Sequence, residues 1–251
     1  MRIARRRWTA RGGDAADLDA IALWVIVGGV IGARTYHVIT DPELFRGHWL
    51  RVFAIWEGGL GIWGAVAGGA IATVITARKR NLDAVTLMDA MAPAVAVAQA
   101  IGRWGNWVNQ EVFGRPTTLP WGLEISLNHR PAGYERFATF QPTFLYESLW
   151  CLAVAGLLVW AERRYGIVRG RTLALYIALY TFGRFWFELL RIDHANRILG
   201  LRVNSWVSVI VFSGAVLWII GSRSRRETSE REQDAVVADS DDADTGQRTP
   251  R

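Results

Sequence analysis

Ile21-Ala22-Leu23-Trp24-Val25-Ile26-Val27-Gly28-Gly29-Val30-Ile31-Gly32-Ala33 carries no polar side chain at all. A helix on the surface of a soluble bundle shows a polar residue every three to four positions, because one of its faces meets water. Cys151-Leu152-Ala153-Val154-Ala155-Gly156-Leu157-Leu158-Val159-Trp160 is equally unbroken. Both stretches therefore read as helices surrounded by hydrocarbon. Outward from them, apolar blocks run Ala20 to Ile39, Leu60 to Ala77, Ala84 to Ala100, Thr143 to Ala161, Thr172 to Leu190 and Ser205 to Ile220. Each approaches the ~20 residues that cross a bilayer. The expected fold class is all-α, a polytopic integral membrane protein with about six transmembrane helices. Bulk composition does not decide this, since a hydrophobic share of 51% is only slightly above the globular norm; the distribution does.

The thirteen tryptophans agree. Trp24, Trp49, Trp56, Trp104, Trp107, Trp150, Trp160, Trp206 and Trp218 fall near block ends, where amphipathic rings sit at headgroup level, while Trp63 and Trp186 lie deeper. A net charge of +6 would suggest nucleic acid in a soluble chain. Here the cations sort by connection. Arg2, Arg5, Arg6, Arg7 and Arg11 precede the first block, Arg78, Lys79 and Arg80 follow the second, Arg163, Arg164, Arg169 and Arg171 follow the fourth, and Arg223, Arg225 and Arg226 follow the sixth. Cytoplasmic loops carry such an excess, so both termini are expected in the cytoplasm and no nucleic-acid partner is expected. The first block contains Arg34 and lacks a small-residue cleavage site, so it reads as an anchor, not a cleavable signal. Cys151, the single cysteine, sits among leucines and alanines and reads as packing.

The chain divides into a basic cytoplasmic segment 1–19, a membrane domain 20–222 and a tail 223–251 rich in Arg, Glu, Asp, Ser and Thr. That tail cannot bury enough apolar surface to fold and reads as disordered and cytoplasmic. Within the membrane domain, 109–142 forms a long outer connection, and Thr40 to Gly59 and Arg191 to Asn204 are shorter outer ones. All three carry isolated arginines, among them Arg115, Arg197 and Arg202, which points to an anionic ligand on that face. Gly28 with Gly32, and Gly64 with Gly68, have the small-xxx-small spacing that lets membrane helices approach closely.

Charge at membrane depth costs on the order of 2.5–3.5 kcal/mol by insertion scales, so polar runs in or beside these blocks mark function. The densest is Gly102-Arg103-Trp104-Gly105-Asn106-Trp107-Val108-Asn109-Gln110-Glu111-Val112-Phe113-Gly114-Arg115. Arginine and side-chain amides are phosphate donors, and a guanidinium can grip two phosphate oxygens at once. Snorkelling would account for Arg103 alone but not for Asn106, Asn109 and Glu111. A second run places Tyr180, Arg184, Glu188 and Arg191 at spacings of four, four and three, one face of a helix. There an Arg184–Glu188 ion pair serves helix packing, the ligand, or both. Trp56-Glu57-Gly58-Gly59 and Gln141-Pro142-Thr143-Phe144-Leu145-Tyr146-Glu147 are the remaining polar sets.

Together these segments resemble the prolipoprotein diacylglyceryl transferase family, whose signature Gly-Arg-x-Gly-Asn-aromatic-x-Asn-x-Glu-x-x-Gly-Arg is matched throughout by Gly102 to Arg115. The likeness extends from about Ala20 to Ile220. It implies a plasma-membrane enzyme whose site opens to the outer leaflet. That enzyme transfers the sn-1,2-diacylglyceryl group of phosphatidylglycerol to the lipobox cysteine of a preprolipoprotein, leaving a thioether and releasing glycerol phosphate, with no cofactor and no metal. By motif, Arg103 and Arg184 would hold the phosphatidylglycerol phosphate, and Asn106, Asn109, Glu111, Gly114, Tyr180 and Glu188 would shape the site. Three departures accompany the resemblance. Trp63 and Gln141 stand where many members have histidine, so the proton acceptor is either another base, such as Glu111 or Glu57, or the pull of the arginines themselves. The family usually has seven spans, and an upstream start supplying the first is expected. A catalytically silent lipid-binding paralogue is the alternative; a transporter or scramblase would call for an internal repeat, which the sequence does not display.

Overall fold

The computed structural model describes residues 1–57, 61–167, 169–193 and 197–222. The Gly58-Gly59 pair, His194 and the tail 223–251 lie outside the described residues, and so do the side chains of Glu57, Trp63 and Arg197. The described residues are mostly helical, and they separate into two compact units, one of residues 1–95 and one that begins at Ala96.

In the first unit, α1 (Arg2–Thr9) and α2 (Ala15–Thr40) are followed by three short 3-10 turns, then α3 (Ile62–Lys79) and the first half of α4 (Ala84–Val108). α2 begins five residues earlier than the apolar block, because Asp14 caps it: its carboxylate accepts from the Ala16 amide at 3.0 Å. Asp17 and Asp19 in its first turns pair with Arg80 at 2.8 Å and Arg5 at 2.5 Å. The basic N-terminal residues are thus partly committed within the protein. Trp8 and Ala4 bury themselves against Leu18, Ile21, Ala77, Leu87 and Ala90. Pro93 inside α4 has no N–H to give the Asp89 carbonyl. Arg7 reaches that turn, donating to the carbonyls of Asp89 at 3.3 Å and Ala90 at 3.1 Å.

α2 and α3 touch backbone to backbone. A Cβ placed on Gly68 would lie 2.1 Å from the Gly28 carbonyl oxygen, and one on Gly32 would lie 2.2 Å from that of Gly64. Only glycine fits, as the spacing predicted. Arg34 near the end of α2 is buried and donates to the carbonyls of Val52 at 2.8 Å and Ala54 at 3.3 Å, with its guanidinium 5.2 Å from the Phe45 ring centroid. A charge at membrane depth is thereby satisfied by the connection that follows it.

The second unit holds the rest of α4, then α5 (Thr143–Tyr165), α6 (Arg171–Leu190) and α7 (Val203–Ser222). α5 stops on Gly166, which takes the left-handed φ of +57° and donates to the Glu162 carbonyl at 2.9 Å. The long connection after α4 has its own small core of Phe113, Ile125 and Phe140. Two short antiparallel pairs, Leu123–Glu124 (β1) with Thr139–Phe140 (β2) and Arg197–Ile198 (β3) with Leu201–Arg202 (β4), are the only strands among the described residues.

Among the described residues, five helices are long and apolar enough to cross a membrane: α2, α4, α5, α6 and α7. The described part of the block Leu60 to Ala77 lies in α3, eighteen residues ending on Arg78 and Lys79, which is not in that set. Outward-facing Leu23, Trp24, Ile26, Ile31 and Ile39 on α2, and Ile210, Leu217 and Trp218 on α7, are exposed. In water such a surface would drive aggregation; in a bilayer it is the solvated face.

Candidate functional site

The second unit gathers the charged residues that the apolar helices could least easily bury. Glu147 lies one turn into α5, its side chain only 4% exposed, and its Oε2 faces two arginines from two different helices. Arg103 of α4 approaches it at 2.8 Å through Nη2, and Arg184 of α6 at 3.5 Å through Nη1. Arg103 also donates to the Tyr180 hydroxyl at 3.4 Å. Tyr180 stacks on Tyr176, whose own hydroxyl donates to Gln99 at 2.9 Å. Arg103 is therefore held from two sides.

Four residues along α6 from Arg184, Glu188 is 1% exposed and receives three cations. Arg184 Nη2 lies 2.6 Å from its Oε2, Arg191 Nη1 3.7 Å from the same oxygen, and Arg202 Nη1 2.9 Å from Oε1. Asp193 closes the far side: Arg191 grips it with Nε and Nη2, both at 2.8 Å, and Arg202 lies 3.3 Å away. Asp193 lies in the connection between α6 and α7. Burial pushes its carboxyl up, but the hydrogen bond and charge of Arg191, with Arg202, outweigh that and hold it below the ordinary carboxylate range. Four arginines thus face three carboxylates, and the cluster carries one formal positive charge in excess. Such a set is disposed to accept one further anion, with phosphate geometry suited to guanidinium forks.

The residues expected from sequence divide here. Arg103, Tyr180, Arg184 and Glu188 meet in this cluster. Asn106, Asn109 and Glu111 form a separate knot at the end of α4: Glu111 Oε1 accepts from the amide nitrogens of Asn106 at 3.0 Å and Asn109 at 3.2 Å. Among the described residues, no hydrogen bond or ion pair joins Glu111 to the arginines. The knot is set by backbone in an unusual conformation. Gln110 and Val112 have φ of +50° and +58°, a region costing roughly 1–3 kcal/mol for such residues. Tertiary contacts hold them there, with the Ser126 amide donating to Gln110 Oε1 at 2.7 Å and the Thr143 hydroxyl donating to the Val112 carbonyl.

Gly114 has a packing role. A Cβ there would stand 3.0 Å from both Gln141 Cβ and Thr143 Cγ2 and 3.3 Å from the Leu190 carbonyl, and its amide donates to the Gln141 carbonyl at 2.9 Å. The glycine lets the connection pass between the start of α5 and the end of α6. Arg115 then donates to the Leu189 carbonyl at 3.3 Å, a cation on a helix C-terminus. Trp107, at the aromatic position, stacks with Phe144 at 6.2 Å and 20°. Cys151 is buried, as expected of a packing residue.

Glu147, Asp193 and Arg202 were not singled out for the site by the sequence, although each was visible. Glu147 closes a polar set at a helix start. Arg202 is one of the isolated outer arginines, set immediately before an apolar block.

Comparison with known proteins places this geometry in context. Residues 1–220 match the family described as prolipoprotein diacylglyceryl transferase. The chain is 53% identical over 226 residues to phosphatidylglycerol–prolipoprotein diacylglyceryl transferase 2 of Streptomyces coelicolor, covering 89% of this chain and 71% of that protein. It is 50% identical over 244 residues to the Streptomyces griseus protein of the same name, covering 94% and 74%. With the Cutibacterium acnes protein it shares 50% over 218 residues, covering 86% and 74%.

Proposed function

The chain belongs to the prolipoprotein diacylglyceryl transferase family, and from that premise we propose that it is a multi-pass membrane transferase moving the diacylglyceryl group of phosphatidylglycerol onto a prolipoprotein at the cluster around Glu147 and Glu188. The acceptor is the lipobox cysteine thiol, and the site opens toward the outer leaflet. The observation that carries this reading is the convergence of Arg103 and Arg184, from α4 and α6, on one carboxylate oxygen at 2.8 and 3.5 Å. A lipid phosphate reaching that point would meet both guanidiniums.

The reaction balances simply. The cysteine thiol gives up its proton to water, the sulfur forms a bond to the terminal glyceryl carbon, and the carbon–oxygen bond to phosphate breaks with its electron pair going to oxygen. The products are a diacylglyceryl thioether and glycerol phosphate. Negative charge grows on the departing phosphate, where fixed cations stabilise the transition state more than the ground state. Glu147 and Glu188 hold the guanidiniums in place beforehand, so little reorganisation is needed as that charge develops. The same cationic field favours the thiolate of the incoming cysteine, whose free pKa is about 8.5. Transfer then needs no histidine where Trp63 and Gln141 stand. Asn106, Asn109 and Glu111 shape the approach, Tyr180 steadies Arg103, and Gly114 sets the packing that joins them.

The test is reconstitution in vesicles containing phosphatidylglycerol with a lipobox peptide. The expected products are a peptide gaining one diacylglyceryl mass, with glycerol phosphate in equal amount. A chain that binds phosphatidylglycerol but leaves the peptide unmodified would establish the silent lipid-binding reading instead.

A further inference from the structure

We propose that Arg202 is a positioning residue for the bound phosphate: it occupies one oxygen of Glu188 and so keeps Arg184 from being captured by that carboxylate. The inference rests on the transferase reading of the same cluster. Arg202 ends β4, immediately before α7, and is 6% exposed. Its Nη1 lies 2.9 Å from Glu188 Oε1 and 3.3 Å from Asp193 Oδ1, while Nη2 donates to the carbonyls of Arg191, at 3.2 Å, and Asp193. Two carbonyls and two carboxylates fix the guanidinium from both ends of its fork.

The consequence falls on Arg184. With Oε1 taken by Arg202 and approached by Asn204 at 3.4 Å, Glu188 offers Arg184 only Oε2, at 2.6 Å. Arg184 is therefore shared between single oxygens of Glu188 and Glu147, with the 3.5 Å contact the looser one. Donors on a guanidinium held this way remain for a phosphate. Without Arg202, Glu188 keeps its charge, loses a partner, and can turn both oxygens onto Arg184 in the bidentate arrangement that carboxylates favour. The Arg191–Asp193 pair would persist, since its two 2.8 Å contacts do not involve Arg202. The expected lesion is thus specific to phosphate affinity. It does not require collapse of the connection.

The experiment compares the full-length chain with Arg202→Gln and Arg202→Lys in nanodiscs of neutral lipid with increasing phosphatidylglycerol. Transfer to a lipobox peptide is measured and each substrate varied in turn. Arg202→Gln should raise the KM for phosphatidylglycerol about tenfold, the scale of one charge-assisted hydrogen bond redirected, and leave the KM for peptide within about twofold. Arg202→Lys keeps a cation on Glu188 and should recover most of that loss. An unchanged phosphatidylglycerol KM in Arg202→Gln overturns the inference, as do equal rises in both KM values or no recovery with lysine. If Arg202→Gln does not fold, Asp193→Asn decides: it frees Arg191 and Arg202 for Glu188 and should lower the phosphatidylglycerol KM, whereas a raised one overturns the inference. If the unmodified chain transfers nothing, the transferase reading fails separately. Phosphatidylglycerol binding in the same nanodiscs then decides: about tenfold weaker binding in Arg202→Gln sustains the role of Arg202, and equal binding ends it.

Discussion

Replacing Glu147 with glutamine keeps the shape of the side chain and removes its charge. In the native protein its Oε2 compensates Arg103 at 2.8 Å and Arg184 at 3.5 Å, in a site where Glu147 is 4% exposed and the two arginine side chains 19% and 17%. The excess of one positive charge in the cluster becomes two. Removing one partner of a buried ion pair costs about 3–5 kcal/mol. The arginines retain some access to solvent, so the lower end applies: about 3 kcal/mol, or an unfolding midpoint lower by roughly 6–12 °C for a chain of this size. An anion that binds the cluster should offset the loss, because a ligand that prefers the folded state stabilises it in proportion to its affinity. Thermal unfolding in micelles would be followed for both proteins, with phosphatidylcholine or phosphatidylglycerol added. Glu147→Gln should be the less stable in phosphatidylcholine, and phosphatidylglycerol should raise its midpoint by more than it raises that of the native protein. Equal shifts for the two, or no destabilisation by Glu147→Gln, would refute the claim that Glu147 balances a phosphate-binding pair.

Gly68→Ile should separate α2 from α3, since even its Cβ would lie 2.1 Å from the Gly28 carbonyl oxygen; overpacking of this kind costs about 1–3 kcal/mol or more, and a lower unfolding midpoint checks it. Arg7→Leu leaves the carbonyls around Pro93 without the guanidinium that now reaches Asp89 at 3.3 Å and Ala90 at 3.1 Å. A loss of about 1–3 kcal/mol is expected, read by faster proteolysis or by the same midpoint. Asp193 has its carboxyl held below the ordinary range by Arg191 and Arg202 after burial is outweighed. Its contribution to stability is therefore complete above the unfolded value of about 3.9 and is lost as pH falls from there through the folded value. Asp193→Asn should be less stable than the native protein at neutral pH, and the gap should narrow as acid is added below about pH 4.

The membrane helices were legible because their cause is local. Uninterrupted runs such as Ile21 to Ala33 must be helical in hydrocarbon, where every backbone group needs an internal partner. The Gly28/Gly32 and Gly64/Gly68 contact was legible for a similar reason, since residues four apart share a helix face. The same periodicity aligned Arg184 with Glu188, which the structure pairs at 2.6 Å. What the sequence did not reveal depends on tertiary pairing. Glu147 meets Arg103 from another helix, and Arg202 reaches Glu188 from beyond a connection; no period links either pair. Nor does the sequence show that Glu111 is bonded locally, by Asn106 and Asn109, through a turn that takes positive φ at Gln110 and Val112.

The most direct test of the account is lipidation in a bacterium depleted of its own transferase and supplied with this chain. Mature lipoproteins should regain their diacylglyceryl thioether with the native chain, and should fail to regain it with Arg103→Ala or Arg184→Ala inserted at equal levels. Absence of the thioether with the native chain normally inserted, or its presence with either arginine variant at the native rate, would contradict the account.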